Sequence, residues 1–200
     1  MESFEKLLEE AVAMHGHLCP GQVLGVRMAM IGCREVEIDE PKDTKNLVTF
    51  VEIDRCAADA LQSVTGCSLG RRTMKHLDYG KLAATFVNLD TGKAVRVWGR
   101  EDSRDKALEY APGEEDHHQA QSVAYQVMPE EELFQFQEVD VEISLDDLPG
   151  RPRHRVICVR CGEGINDGRE VGSSDGSLCR ACAQGAYYRE VERAQAPGHG

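Results

Sequence analysis

The chain has 200 residues, of which 41% are hydrophobic and 29% are charged. This is the composition of an ordinary globular protein, and it excludes a collagen, a low-complexity tail and a wholly disordered chain. The formal net charge of −12 argues against non-specific binding to nucleic acid, because such a surface repels phosphate groups.

The N-terminal segment carries no targeting pattern. Its first ten residues, MESFEKLLEE, are acidic and lack a basic region followed by an apolar stretch, so we expect no secretory signal peptide. The least polar long stretch, 11–33, contains His15, His17 and Arg27, so we expect no membrane span. These observations predict a cytoplasmic protein.

Two helices are predicted at the N-terminus. Apolar residues recur at three- and four-residue spacing over 4–12, with glutamates between them, which predicts an amphipathic helix. Gly16 interrupts that pattern. Pro20 suits the first turn of a second helix, which we expect to run to about residue 31.

A strand, a helix and a hairpin are predicted next. The β-rich segment 46–53 predicts a strand, and Asp54 can cap a third helix over 55–64. The segments 81–88 and 93–98 flank the turn sequence Leu-Asp-Thr-Gly, which predicts a β-hairpin.

The pattern over 104–145 is mixed. We predict a helix over 104–110, a helix over 129–137, and a strand with one buried face over 138–145. The polar stretch around His117 and His118 predicts an exposed loop. Helices first and strands later predict an α+β fold, in which N-terminal helices pack on a mainly antiparallel sheet.

Charge and turn residues divide the chain near residue 150. Residues 1–150 hold 15 basic and 29 acidic side chains, whereas 151–200 hold 8 and 6. The sequence Leu-Pro-Gly-Arg-Pro at 148–152 is typical of a linker. We therefore predict a core domain over 1–150 and a small domain over 151–200, which ends in a disordered tail from about Ala194.

Four of the eight cysteines form two Cys-x-x-Cys pairs near the C-terminus. Cys158 pairs with Cys161 and Cys179 with Cys182, and 17 residues separate the pairs. Each such turn can bring two thiolates to one tetrahedral ion, so the pattern predicts a closed, structural zinc site; two disulfides or a redox pair are the alternatives. The segment resembles the treble-clef zinc finger of the DksA/TraR type, which implies a fold and not a function.

A second group of donors precedes the predicted second helix. If the chain is extended there, the side chains of His15, His17 and Cys19 point to one side. A helix N-terminus favours the thiolate form of a nearby cysteine, and imidazole with thiolate suits Zn or Fe better than Mg or Ca. Cys56, at a strand-to-helix junction, and Cys67 can join the same core site. For each of these residues, a capping role or simple burial is the alternative.

Several ordered motifs make residues 1–145 similar to the FmdE family, named after a component of formylmethanofuran dehydrogenase. They are HGHLCPG at 15–21, EIDRCAADALQ at 52–62, TGCSLG at 65–70 and DYGK at 78–81. The resemblance implies an α+β core, a homodimer, and association with a molybdenum or tungsten dehydrogenase of methanogenic carbon metabolism. It also implies a metal-binding cleft lined by His17, Cys19 and Cys56, with Cys67 as a further candidate.

Three functions stay open from the sequence. The chain has no ferredoxin-type cysteine series, which favours a metal-binding accessory protein or subunit over a complete redox enzyme. The second hypothesis is an enzyme with an open metal site for hydrolysis or redox chemistry. Its candidate catalytic residues are Cys19, Asp54, Cys56, Tyr79 and Lys81. The third is a transcription-linked zinc finger, for which the charge balance of +2 in 151–200 is small.

Overall fold

The computed structural model describes residues 1–189 and 191 of the chain. The chain separates into two compact units, Met1–Ile143 and Ser144–Gly200. The predicted disordered tail from Ala194 lies outside the described residues.

The first unit combines helices with one sheet. Its helices are α1 (Phe4–His15), α2 (Pro20–Glu35), α3 (Cys56–Thr65), α4 (Ser103–Tyr110), α5 (His117–Val127) and α6 (Glu130–Leu133). Its strands are β1 (Leu47–Val51), β2 (Met74–His76), β3 (Ala83–Asn88), β4 (Ala94–Gly99) and β5 (Phe134–Glu138).

Local sequence sets the ends of the first two helices. The Ser3 side chain accepts a hydrogen bond from the backbone N–H of Lys6 and so caps α1. Gly16 ends α1 in the left-handed conformation, with a φ of 100°, which a glycine adopts without strain. Four residues later α2 begins at Pro20, whose fixed φ suits a first helical position.

Helix α2 is the central helix of this unit, and its glycines allow close packing. A Cβ atom at Gly21 would lie 2.8 Å from the Cβ of Cys56, and one at Gly25 would lie 2.6 Å from the Cβ of Ala60. A Cβ at Gly32 would lie 2.2 Å from the ring of Phe86 on β3. Helix α2 therefore contacts α3 along one side and the sheet along the other.

The sheet has five strands in the order β2–β1–β3–β4–β5. Strands β1 and β2 are parallel, and the other neighbouring pairs are antiparallel. The helices cover one face, where Phe86, Val95 and Val97 join their buried side chains in the main core. This arrangement confirms the predicted α+β fold, and the predicted hairpin is formed by β3 and β4.

Two predictions near the end of the first unit are wrong. The helix expected within 129–137 ends at Leu133, because the next residues pair with β4 as strand β5. The segment 138–145 is expected to be a strand, but it does not pair with a neighbouring strand beyond Glu138. Its alternating Val139, Val141 and Ile143 pack instead on the second face of the sheet. Apolar alternation predicts one buried face, and it does not require a neighbouring strand.

The loop predicted around His117 and His118 is also wrong. Both histidines begin helix α5, and Asp116 caps it by accepting a hydrogen bond from the backbone N–H of Gln119 at 2.8 Å. At the other end of α5, the Arg27 side chain donates to the carbonyl oxygens of Tyr125 and Met128. These contacts fix α5 against the central helix α2.

The second unit consists of short elements. After a single 3₁₀ turn (Leu145–Asp147), strands β6 (Arg155–Ile157) and β7 (Gly164–Asn166) form one hairpin. Strands β8 (Val171–Ser173) and β9 (Gly176–Leu178) form another, and helix α7 (Arg180–Gln184) follows directly.

Candidate metal centres

The four C-terminal cysteines converge, as the sequence predicts. Their sulfur atoms all lie within 4.8 Å of one another, and the sulfurs of Cys161 and Cys179 are 3.9 Å apart. Four ligands about 2.3 Å from a tetrahedral zinc ion lie about 3.8 Å from one another, so the observed spacing fits such an ion. Cys158 and Cys161 flank a turn between β6 and β7, and Cys179 caps α7.

Backbone N–H groups stabilise negative charge at this site. They hold the pKa of Cys158 at about 6, chiefly through hydrogen bonds from Cys161 and Cys179. A hydrogen bond with Cys179 and burial raise the pKa of Cys182 to about 12. Thiolates this close repel one another, so a bound cation is needed for all four to be ionised together.

The N-terminal donors also meet. His15 is the last residue of α1, and Cys19 directly precedes α2, so the turn at Gly16 holds His15, His17 and Cys19 together. Their ligand atoms lie within 4.8 Å of one another, and the centroids of the two imidazole rings are 4.7 Å apart. Cys19 is buried and His17 is exposed, so the group extends from the protein interior to its surface.

Asp59 completes this group, although the sequence alone did not single it out as a site residue. Its Oδ2 atom lies 2.8 Å from Nδ1 of His15. The other ring nitrogen of His15, Nε2, is buried and has no hydrogen-bond partner among the described residues. Asp59 follows Cys56 by three positions on α3, and this helical spacing is the pattern that could have indicated it.

Cys56 lies beside Cys19 at the beginning of α3. Both residues line one cleft, and the side chain of Gln22 donates to the carbonyl oxygen of Cys56 at 2.6 Å. Burial raises the pKa of the Cys56 thiol, and a hydrogen bond with Cys19 raises it further. The structure therefore brings Cys56 to the edge of the N-terminal group.

The structure does not bring Cys67 into this group of donors. Cys67 is buried in the main core, where its sulfur donates to the carbonyl oxygen of Leu47 at 3.5 Å, and burial raises its pKa. Its sulfur neighbour is Cys33 of α2, whose pKa burial raises to about 12. Gly66 ends α3 and turns the chain toward strand β1 there, so Cys67 packs as a small apolar residue.

A cleft of about 300 Å³ opens next to the N-terminal group. Its lining includes His17, Cys19, Cys56, Leu24, Ile53, Leu82, Arg55, Arg100, Arg104, His118 and Tyr125. Apolar side chains from α2 and the sheet thus face polar side chains near α4 and α5. A site of this kind can hold a small ligand against the N-terminal donors.

The remaining catalytic candidates lie elsewhere. Asp54, Tyr79 and Lys81 are not among the residues that line the cleft. Asp54 is exposed beside Arg55, and the ammonium of Lys81 lies 5.9 Å from the centroid of the exposed Tyr79 ring. The structure therefore does not bring Asp54, Tyr79 or Lys81 into the lining of the cleft.

A third group of donors belongs to the second unit. Asp146, His154 and Asp167 have ligand atoms within 4.8 Å of one another. However, Nε2 of His154 accepts a hydrogen bond from the backbone N–H of Gly168 at 2.9 Å, and Asp167 accepts one from Arg153 at 2.7 Å. These hydrogen bonds join the residues that precede β6 to those that follow β7, so the group has a structural role.

Comparison with known proteins identifies the family. The model of the family described as FmdE, molybdenum formylmethanofuran dehydrogenase operon, matches residues 14–135. The chain belongs to the FmdE family. The match contains both the N-terminal donors and Cys56.

Two individual proteins are similar over almost the whole chain. A protein of Archaeoglobus fulgidus described as a probable S-adenosyl-L-methionine-binding protein is 32% identical over 210 residues. The alignment covers 94% of this chain and 55% of that relative, so the chain spans about half the length of the relative.

The second similar protein has a solved structure. It is described as an FmdE-like protein, named for tungsten formylmethanofuran dehydrogenase, from Syntrophus aciditrophicus. It superimposes with a TM-score of 0.63 at 20% identity and covers 94% of this chain and 96% of its own, which shows a shared fold. Within the described part of this chain, no helix combines the length and apolar character that crossing a bilayer requires.

Proposed function

We propose that the chain is a metal-binding accessory protein or subunit of a molybdenum or tungsten oxidoreductase system. The observation that carries this proposal is the convergence of His15, His17 and Cys19 beside a cleft, in a chain of the FmdE family. Two imidazoles and a thiolate suit Zn²⁺ or Fe²⁺. The buried Nε2 of His15, which has no partner among the described residues, also suits a cation at this position.

The arrangement supports holding an ion that a partner can reach. Three protein donors leave one position of a tetrahedral ion free, and the exposed His17 lies on the cleft side. Cys56, next to Cys19, is the residue able to occupy that fourth position. We infer a role in metal delivery, enzyme assembly or docking.

We assign a structural zinc ion to the four-cysteine site. Four thiolates close the coordination sphere, so this ion organises the second unit and takes no part in chemistry. We further infer a homodimer located in the cytoplasm, in which the finger serves dimerisation or partner docking. Light scattering of the full chain tests the homodimer, and a monomer at micromolar concentration contradicts it.

Metal analysis of the purified full chain tests the core site. We expect more than one equivalent of metal per chain in the wild type. Cys19→Ala removes a donor from the core group, so it should lose the core equivalent and keep the finger equivalent. Cys33→Ala is the matched control, because Cys33 is also a buried cysteine but lies away from the donors on α2. One tightly bound ion that survives Cys19→Ala would count against a core site.

An enzyme with an open metal site is the second candidate. The cleft beside His17 and Cys19 favours it, since a substrate needs such a space next to the ion. Azide added to the Co²⁺-substituted protein distinguishes the candidates by absorption spectroscopy. A spectral change indicates an open position. An unchanged wild-type spectrum, with a change only in Cys56→Ala, indicates that Cys56 closes the site.

The name of the Archaeoglobus relative suggests S-adenosyl-L-methionine as a ligand to test. Calorimetric titration of the full chain, compared with Arg104→Ala at the cleft, tests binding there. No heat of binding in the wild type would contradict binding of this ligand by the chain.

A further inference from the structure

The hydrogen bond between His15 and Asp59 determines which nitrogen of the imidazole carries the proton. Nδ1 of His15 and Oδ2 of Asp59 are 2.8 Å apart. A carboxylate only accepts hydrogen bonds, so Nδ1 is the protonated nitrogen and donates. Nε2 then keeps a free lone pair, which is the form in which a neutral histidine binds a metal ion.

That lone pair lies in an unusual environment. The His15 side chain is 13% exposed, and its Nε2 atom is buried without a partner among the described residues. A buried polar atom of this kind is unfavourable unless something binds to it. One ring nitrogen of His15 and the ligand atoms of His17 and Cys19 lie within 4.8 Å of one another, so the imidazole belongs to a group of three donors.

An ordinary surface ion pair does not account for Asp59. Its side chain is 54% exposed, and an exposed pair adds little to stability. The N-cap of α3 is Arg55, so Asp59 is not the capping residue either. Its distinguishing contact is the hydrogen bond with Nδ1 of His15, which leaves Nε2 as the ring nitrogen available to a ligand.

We infer that Asp59 is a positioning residue for the core site and fixes His15 as its third protein ligand. Hydrogen bonds from a carboxylate to a metal-binding histidine hold the ring in place and raise its basicity. The inference rests on the proposed metal-binding function. It deepens that function by naming Nε2 as the ligand atom of His15 and by assigning to Asp59 the orientation of that ring.

Titration of the metal-free full chain with Co²⁺ tests the inference, because a site of four thiolates and a mixed nitrogen–sulfur site give different absorption spectra. We expect Asp59→Ala to weaken Co²⁺ binding at the core site about 10- to 100-fold and to alter its spectrum. Asp59→Asn keeps an oxygen that accepts from Nδ1–H, so it should restore part of the affinity. The four-cysteine spectrum should stay unchanged in every variant.

Asp105→Ala is the matched control, since Asp105 is likewise an acid in the first turn of a helix, α4. A double variant with His15→Ala should bind no more weakly than His15→Ala alone, because Asp59 acts through His15. An Asp59→Ala protein with wild-type affinity and spectrum would overturn the inference. An equal loss of Co²⁺ affinity in Asp59→Ala and in Asp105→Ala would also overturn the inference.

Long-range ¹H–¹⁵N NMR of the metal-free wild type tests the same point without any variant. We expect the His15 proton on Nδ1, and a proton on Nε2 would contradict the role of Asp59. If the wild type binds no Co²⁺ outside the four-cysteine site, the proposed function itself fails. The two failures are therefore distinguishable.

Discussion

The two donor groups of this protein are built in opposite ways. In the second unit, four sulfurs come from two short turns, and each turn is complete within four residues of sequence. In the first unit, His15, His17 and Cys19 lie where α1 ends and α2 begins. Asp59 and Cys56 belong to a third helix, α3. The four-cysteine site of the second unit depends on local sequence and on the ion, whereas the donor group of the first unit depends on helix packing.

This difference predicts what each site needs in order to form. The second unit buries few large apolar side chains, so its ion must supply much of the folding free energy. The first unit has a continuous core that includes Leu61, Phe86 and Tyr125, so its donors are positioned before any ion binds. Loss of metal should therefore unfold the finger and leave the core folded.

The largest expected effect follows from removing a finger ligand. Cys161→Ser should abolish the closed site, because structural zinc in finger peptides contributes about 10–16 kcal/mol of apparent binding free energy. Hydrogen exchange should show lost protection over 155–184 and unchanged protection in the main core. Val159→Ala, in the same turn but not a ligand, should keep protection. Full protection in Cys161→Ser would refute the dependence on metal.

The next effect concerns the packing that positions the core donors. A Cβ at Gly25 would lie 2.6 Å from the Cβ of Ala60 and 2.7 Å from the carbonyl oxygen of Ala57. Gly25→Val should therefore separate α2 from α3, lower the free energy of unfolding by about 1–3 kcal/mol and lose the core ion.

Chemical denaturation and metal analysis measure both effects of this change. Gly70→Val is the control, because a Cβ at Gly70 meets nothing within 4 Å. The finger ion should remain in both variants. A Gly25→Val protein that keeps its core ion would show that close contact between α2 and α3 is not required.

A smaller effect is expected when pH changes the free energy of unfolding, because two cysteines lie in different environments. Burial raises the pKa of Cys33 from 9.0 to about 12, whereas hydrogen bonds hold the pKa of Cys158 at about 6. Above pH 9 the unfolded chain loses the Cys33 proton that the folded chain keeps. The free energy of unfolding should therefore fall by about 1 kcal/mol between pH 9 and pH 10.

Urea denaturation at the two pH values measures this fall. Cys33→Ala should show a correspondingly smaller decrease, because it removes the buried thiol. An equal decrease in the variant and the wild type would mean that Cys33 does not contribute.

The smallest effect distinguishes a cysteine of the main core, Cys67, from the donors. Cys67→Ala should cost about 1 kcal/mol of stability and keep the core ion, since Cys67 packs against Leu47 rather than at the site. Metal analysis and denaturation of the variant check both statements. Loss of the core ion would return Cys67 to the ligand set.

Much of the fold could be predicted from local patterns. Helical spacing in 4–12, the turn at Gly16 and the hairpin formed by β3 and β4 each depend on neighbouring residues. The segment 129–145 could not be predicted in this way. Strand β5 forms because Phe134 and the residues after it pair with β4, and that partner lies about 40 positions earlier.

The candidate site shows the same division between local and distant information. Convergence of His15, His17 and Cys19 could be predicted, because one short segment carries them all. Helical spacing relates Asp59 to Cys56, but the contact between Asp59 and His15 depends on which side of α3 faces α1. The burial of Cys67 depends on its packing against Leu47 of β1. The cleft could not be predicted either, because residues from distant segments of the sequence line it.

The amino-acid sequence by itself determined the finger, the N-terminal donor segment and the α+β class, because turn geometry and side-chain periodicity act over a few residues. Only the tertiary structure decided that Cys56 and Asp59 meet those donors, that Cys67 is buried away from them, and that a cleft lies beside them. The physical reason is close packing: the glycines of α2 set its distance from α3, and that distance decides which side chains come within reach.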